Sequence, residues 1–158
     1  MKGNAVARMS RALDLANRFI ISELESRGIS DLAPSHGDIF FLLFHCDRLP
    51  MQEIACKIHR TKPTVTILVK KLVELGYVER EKSQEDSRVT YISLTEEGRK
   101  LRPIFEEISK LLNEKVYGGF SPGQAILFEE MLENVYDRFA QGKDGDENQE
   151  SDEYPLPG

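Results

Sequence analysis

A cluster of basic residues without any neighbouring acid is the most informative feature of this chain. No aspartate or glutamate occurs between Lys57 and Val73, although the whole sequence has a net charge of −6. The basic residues of this stretch are Lys57, Arg60, Lys62, Lys70 and Lys71. Cations gathered on one surface bind phosphates in a salt-sensitive way. The stretch therefore predicts contact with a nucleic acid, and an ordinary solvated surface is the alternative.

A second polar cluster follows, in a short link between two strand-like segments. Residues 77–82 and 88–93 are rich in Val, Tyr, Thr and Ile, and the link between them contains Asp86. Arg88 opens the second strand. This pattern predicts a hairpin, or wing, with a cation near its tip. An ordinary hairpin salt bridge, worth at most about 1 kcal/mol, is the alternative.

The elements that must position these residues are mostly helices. Apolar residues spaced three and four apart predict helices over 5–27, 35–46 and 51–58, and a fourth that Thr61 caps and that ends before Gly76. A long fifth helix follows Thr95, with Pro103 bending it or delaying its start, and a sixth follows Ser121. The third and fourth helices, joined by a tight turn, form a helix-turn-helix whose second helix reads the major groove.

The bulk properties are those of one ordinary domain. The 158 residues are 40% hydrophobic, no run is long enough to span a bilayer, and the N-terminus lacks the apolar block of a signal peptide. Two cysteines, Cys46 and Cys56, favour a reducing cytoplasm. Residues 142–158 hold one Lys and six Asp/Glu, so this tail carries −5 and the rest −6 − (−5) = −1. The acidity belongs to a tail that we expect to be disordered.

With these residues in place, the chain resembles the MarR family of winged helix-turn-helix transcriptional regulators. The matching motifs are Lys62-Pro63-Thr64-Val65-Thr66, the stretch from Leu72 to Arg80, and the stretch from Glu85 to Gly98. The resemblance covers roughly residues 5–140. It implies a mainly α fold, a winged helix-turn-helix with long N- and C-terminal dimerisation helices. The implied order is four helices, the hairpin wing and two further helices.

The resemblance also implies a homodimer that binds double-stranded DNA. Three apolar-striped helices at the two chain ends exceed what one small winged domain needs, which agrees with a shared interface. A two-fold dimer predicts a roughly palindromic operator. The expected division is a dimerisation helix over 1–33, the DNA-binding domain over 34–98, dimerisation helices over 99–141 and the tail over 142–158.

The residues expected to contact DNA lie on the fourth helix and the wing. Those predicted on the helix are Lys62, Thr64, Thr66, Ile67, Lys70 and Lys71. In the family the arginine that matches Arg88 enters the minor groove and the aspartate that matches Asp86 holds it. Ile67 departs from the family, which often has an arginine there. It packs on a thymine methyl or does little.

Regulation is less well specified by the sequence. The family often releases DNA on binding a small anionic or phenolic ligand. A pocket for such a ligand could use Arg18, His36, Phe40 and Phe44, and core packing is the alternative for these residues. Both cysteines are expected to be buried and structural, with oxidant sensing as the alternative.

Metal binding and catalysis are not expected. The three histidines and two cysteines lack the spacing of a metal site, and the chain has no phosphate-cradling glycine loop or nucleophile motif. No cofactor is predicted. We expect a repressor rather than an activator. The alternatives are a winged-helix module that binds proteins and a redox switch that uses Cys46 or Cys56.

Overall fold

The computed structural model describes residues 3–141, and these form seven helices and three short strands. Their bounds are α1 Ala5–Ser26, α2 Pro34–Phe44, β1 Leu49–Pro50, α3 Met51–Lys57, α4 Lys62–Glu74, β2 Val78–Lys82, β3 Thr90–Leu94, α5 Glu96–Lys100, α6 Arg102–Tyr117 and α7 Pro122–Ala140. The mainly α fold with a hairpin wing is confirmed. The acidic tail predicted over 142–158 lies outside the described residues.

Two local features differ from the sequence-based expectation. β1 is an additional strand of two residues. The fifth helix is divided into α5 and α6 at Leu101, whose N–H bonds the Gly98 carbonyl in a tighter turn. Pro103 explains the division, because it has no N–H to donate to the carbonyl of Arg99.

The described residues fall into two compact units, 3–112 and 113–141. The first unit contains an aromatic cluster around Phe40, which is fully buried. The Phe40 ring stacks on Phe105 with centroids 4.7 Å apart, and Tyr77 meets it edge-on at 5.8 Å. These contacts join α2, α6 and the start of the wing in one core.

The helix-turn-helix consists of α3 and α4. Thr61 caps α4 by accepting a hydrogen bond from the Thr64 N–H, and His59 in the preceding turn has a φ of 53°. The inner face of α4 buries Val65, Val69 and Leu72 completely. Because that face is fixed in the core, the opposite face of α4 is directed outward.

A Schellman motif ends α4 and directs the chain into the wing. The Gly76 N–H bonds the Val73 carbonyl and the Tyr77 N–H bonds the Leu72 carbonyl, both at 3.0 Å. Gly76 has a φ of 79°, a conformation that glycine adopts without steric cost.

The base of the wing is tied to the end of α4. The Thr95 hydroxyl donates to the Gly76 carbonyl at 2.6 Å and accepts from the Gly98 N–H at 3.1 Å. A Cβ on Gly98 would lie 2.1 Å from the carbonyl oxygen of Tyr77. This close approach requires glycine at position 98.

The sheet is antiparallel, with the strand order β1-β3-β2. Val78 pairs with Leu94 at the base of the hairpin, and Leu49 of β1 pairs with Ile92. Beside β1, the Arg48 guanidinium lies 4.2 Å from the centroid of the Tyr91 ring. β1 thus makes the wing a three-stranded sheet.

In the second unit, Ser121 and Gln124 form a capping box that begins α7. The apolar side chains that α7 exposes are Ile126, Leu127, Met131, Leu132, Tyr136 and Phe139. In the first unit, α1 exposes Val6, Leu13 and Leu15. In the part of the chain described, no helix combines the length and apolarity needed to cross a membrane.

Candidate nucleic-acid interface

The outward face of α4 carries the predicted DNA-contacting residues of this helix. Lys62, Thr64, Thr66, Ile67 and Lys70 are exposed, whereas Lys71 is half-buried. Their placement follows from the burial of the opposite face. A single helical surface therefore presents cations at both of its ends and smaller side chains between them.

The two threonine hydroxyls of this face are engaged within the helix-turn-helix. The Thr66 hydroxyl donates to the Lys62 carbonyl at 2.9 Å and lies 3.6 Å from the Met51 sulfur atom on α3. The Thr64 hydroxyl is 3.0 Å from that of Thr61. Their bonds stabilise the first turns of α4 and leave the hydroxyls less available to a partner.

The cations of this face are available for phosphates. Among residues 3–141, Lys62 and Lys70 form no salt bridge. An acid on the same face could neutralise these lysines. The nearest candidate on α4 is Glu74, which is exposed but forms no salt bridge with Lys70. The surface can thus attract a polyanion without first breaking an internal ion pair.

At the wing tip, Asp86 holds Arg88 in a two-point contact. The Arg88 Nε and Nη2 atoms donate to the two carboxylate oxygens of Asp86 at 3.0 and 3.1 Å, and the Arg88 backbone N–H donates to Oδ1 at 3.0 Å. The Arg88 side chain is 89% exposed. These hydrogen bonds lower the pKa of Asp86 and raise the pKa of Arg88, so both remain charged.

Ser83 also stabilises the wing tip, a role that was not predicted from the sequence. Its hydroxyl oxygen accepts the backbone N–H groups of Glu85 and Asp86, each at 3.3 Å. Below it, the Ser83 N–H donates to the Val89 carbonyl at 2.9 Å. The sequence feature that indicates this role is a serine at the first position of the polar link. Serine hydroxyls in turns commonly accept hydrogen bonds from backbone N–H groups two or three residues later.

His36, one of the predicted effector residues, has a structural contact. It is 5% exposed, and its Nδ1 accepts the Ala33 N–H at 2.8 Å at the start of α2. The neutral ring therefore carries its proton on Nε2, which has no hydrogen-bond partner among the described residues. Burial lowers the pKa of His36, and the charge of Lys71 acts in the same direction.

The other predicted effector residues lie in different surroundings. Arg18 is exposed on α1 and pairs with Asp14 at 3.0 Å, whereas Phe40 is in the core. Phe44 lines a cavity of about 280 Å³. The remaining lining residues are Leu43, His45, Cys46, Asp47, Leu94, Arg99 and Arg102. Of the four predicted residues, Phe44 alone lines this cavity. Its two arginines, Arg99 and Arg102, were not predicted from the sequence.

Both cysteines are exposed, so the expectation that they are buried was wrong. Cys46 lies beyond the last turn of α2, and Cys56 lies on the outer side of α3, next to the buried Ala55. Cys46 was expected inside the second helix, whereas α2 ends at Phe44. Within residues 3–141, no group of three or more His, Cys, Asp or Glu could hold a metal.

Taken together, α3, α4 and the three-stranded wing define the chain as a winged helix-turn-helix protein. A family model described as "MarR family" matches residues 32–90, from the end of the α1–α2 connection to β3. The match covers the helix-turn-helix and both polar clusters. Over these residues the chain is similar to the MarR family.

Two curated relatives come from Bacillus subtilis (strain 168). The HTH-type transcriptional regulator MhqR is 28% identical over 128 residues, which cover 80% of this chain and 86% of MhqR. The uncharacterized HTH-type transcriptional regulator YdgJ is 31% identical over 68 residues, 43% of this chain. That alignment spans 42% of YdgJ, less than half of its length. Both are named as regulators of transcription, and neither is named as an enzyme.

A solved structure shows the same fold over a longer span. The chain matches the Staphylococcus aureus MepR–DNA complex with a TM-score of 0.75 and 22% identity, over 89% of this chain and 99% of that one. This likeness extends through the helices outside the family model. It confirms the fold predicted from the sequence.

Proposed function

We propose that the protein is a homodimeric, sequence-specific DNA-binding transcriptional regulator that acts as a repressor in the cytoplasm. α4 enters the major groove and Arg88 enters the minor groove of a roughly palindromic operator. The observation that carries this proposal is the outward face of α4, with its cations, in the same compact unit as the tethered Arg88. The relatives named as transcriptional regulators and the MepR structure, described as a DNA complex, support it.

The wing supports the proposal through charge and geometry. A narrow minor groove concentrates negative potential and attracts an arginine side chain. Asp86 restricts the rotamers of Arg88 and so reduces the entropy lost when it binds. Because the carboxylate occupies Nε and Nη2, the Nη1 group of Arg88 is left to donate to the DNA.

The homodimer is supported by the apolar surface of α7 and α1. α7 spans Pro122–Ala140 without one buried residue, and Phe139 is 70% exposed. Apolar area of this extent is commonly covered by a second copy of the chain. Two copies related by a two-fold axis would present two α4 helices to successive turns of DNA.

A small anionic or phenolic effector is the proposed regulator of DNA binding. The cavity beside Phe44 supports an anion through Arg99, whose guanidinium has no salt bridge within the described residues. Arg102 is partly committed, since it donates to Glu106 at 2.8 Å and to the Phe44 carbonyl at 3.2 Å. Benzoate is a suitable probe, and it should weaken DNA binding by the native chain but not by Arg99→Ala.

The main test is fluorescence anisotropy with DNA from upstream of the gene, at two salt concentrations. We expect saturable binding that exceeds binding to random DNA and weakens steeply with salt. Arg88→Ala should lose about tenfold or more. Arg18→Ala is the matched control, because it also removes an exposed arginine that pairs with an aspartate at 3.0 Å.

The result that contradicts the proposal is equal affinity for random and upstream DNA, with Arg88→Ala indistinguishable from the native chain. A winged-helix module that binds proteins would then be the better account. Selection from a random duplex library would separate this outcome from an operator located elsewhere.

A redox-sensing regulator is a second candidate, because both thiols are exposed. Thiol labelling of the native protein followed by treatment with hydrogen peroxide tests it. If oxidation releases DNA from the native chain and not from the variant that combines Cys46→Ser with Cys56→Ser, the redox function is supported. Unchanged affinity after oxidation would exclude it.

A further inference from the structure

We propose that Ile67 is a specificity-determining residue that contacts the 5-methyl group of a thymine in each operator half-site. This inference rests on the proposed function and adds to it a named base and a named atom. It depends on the exposure of Ile67, on the bonds of its neighbours and on the chemistry of the major groove.

The exposure of Ile67 differs from that of the other exposed apolar residues. Ile67 is 69% exposed in the middle of α4, two residues from the buried Val65 and Val69. Within residues 3–141, the other large exposed apolar side chains lie on α1 or from Val116 onward. The apolar surface proposed for dimerisation is therefore separate in sequence from Ile67. A different partner is needed to cover Ile67.

The neighbours of Ile67 offer few hydrogen-bond donors to a base edge. The Thr66 hydroxyl already donates to the Lys62 carbonyl, and the Thr64 hydroxyl is bonded to that of Thr61. Lys70, one turn further along, is a flexible cation that suits phosphates or a guanine. At the centre of the face, apolar contact is the interaction that remains available.

Thymine is the base whose major-groove edge matches such a contact. It carries a methyl group at C5, where cytosine has only a hydrogen atom. The major-groove edges of cytosine and adenine otherwise present polar groups, N4 in cytosine and N6 and N7 in adenine. Isoleucine is branched at Cβ and has a restricted χ1 angle, so little rotamer entropy is lost when it packs against the methyl. Burial of one methyl group predicts a discrimination of about fourfold.

The test begins with duplexes selected from a random library by the full chain. Each thymine of a selected duplex is replaced singly by 2′-deoxyuridine, which removes the methyl and keeps the base pair. We expect one position in each half-site at which the replacement weakens binding by the native chain about fourfold. At that position Ile67→Ala should bind both duplexes equally, and Ile67→Val should retain part of the discrimination.

The outcomes are distinct for the two proposals. If no duplex is enriched, the proposed DNA-binding function itself fails. If duplexes are enriched but lack a fixed thymine, or if deoxyuridine affects the native chain and Ile67→Ala equally at every position, the thymine contact is overturned. If Ile67→Ala binds too weakly to measure, the effect of deoxyuridine is compared between the native chain and Ile67→Val. A smaller effect in Ile67→Val supports the thymine contact, and an equal effect contradicts it. An unchanged melting temperature shows that the substitutions act on binding.

Discussion

In the proposed complex with DNA, the contact between Asp86 and Arg88 would have two opposite effects. Asp86 would orient the arginine, but its negative charge would also repel phosphates. As an exposed ion pair it contributes little to folding stability. A variant that removes the carboxylate charge would therefore report on binding rather than on folding.

We predict that Asp86→Asn weakens DNA binding several-fold, because the loss of orientation exceeds the relief of repulsion. Glu85→Gln is the matched control, since Glu85 is the adjacent acid and its side chain has no contact with Arg88 among the described hydrogen bonds. The control should bind DNA slightly more tightly. Anisotropy measures both variants, and tighter binding by Asp86→Asn would show that Asp86 acts through its charge alone.

His36 should make folding stability depend on pH. Burial lowers its pKa below the ordinary 6.5. Between the lowered pKa and 6.5, the unfolded chain binds a proton that the folded chain does not bind, so the free energy of unfolding decreases as pH falls. Nearby Asp38 has the opposite effect at lower pH, because burial raises its pKa. The effect of His36 must therefore be isolated by substitution.

We predict that His36→Gln reduces the loss of stability between pH 7.5 and 5.5. Glutamine has an oxygen that can accept the Ala33 N–H but does not titrate. Urea unfolding at the two pH values measures the change. His45→Gln is the control, because it makes the same substitution at an exposed histidine. Equal pH dependence in His36→Gln and the native chain would contradict the assignment.

At the scale of elements, the junction of α4, the wing and α5 depends on the absence of a side chain at Gly98. We predict that Gly98→Ala lowers the free energy of unfolding by about 1–3 kcal/mol, because its Cβ would overlap the backbone carbonyl of Tyr77. Gly123→Ala on α7 is the control, since a Cβ there meets nothing within 4 Å. Urea unfolding that shows no difference between the two variants would contradict this account.

The helices and the hairpin could be predicted because their signals are local. Apolar spacing, the Thr61 and Ser121 caps and Gly76 fixed the element order and most bounds to within one or two residues. β1 could not be predicted, because Leu49–Pro50 is extended only through its pairing with β3. Pro103 predicted a disturbance in the fifth helix, and the division at Leu101 agrees with it.

The outward face of α4 could be predicted from the sequence, whereas the cavity beside Phe44 could not. The outward positions of α4 follow from helical periodicity, and the placement of Lys62, Thr64 and Ile67 agrees with it. The cavity could not be predicted, because Phe44, Arg99 and Arg102 are brought together by contacts between distant segments. The exposure of Cys46 depends on where α2 ends, which is two residues before the predicted end.

For the whole molecule, the exposed face of α7 leads to a prediction about assembly. Met131→Glu combined with Phe139→Glu should convert a dimer to a monomer of 18.0 kDa, because charges in an apolar interface lose hydration without a partner. Light scattering coupled to size exclusion measures the mass. Glu130→Gln, on the same helix, should remain dimeric. A monomeric native chain would contradict the dimer.

β1 pairs with a strand that lies far from it in the sequence. The hairpin of β2 and β3 is made of residues close together in sequence and can form early, whereas Leu49 meets Ile92 only after α3 and α4 have brought the chain back. We therefore expect the third strand to close last. A protease that cleaves before Met51 should detect partly folded chains in which α4 and the β2–β3 hairpin have already formed.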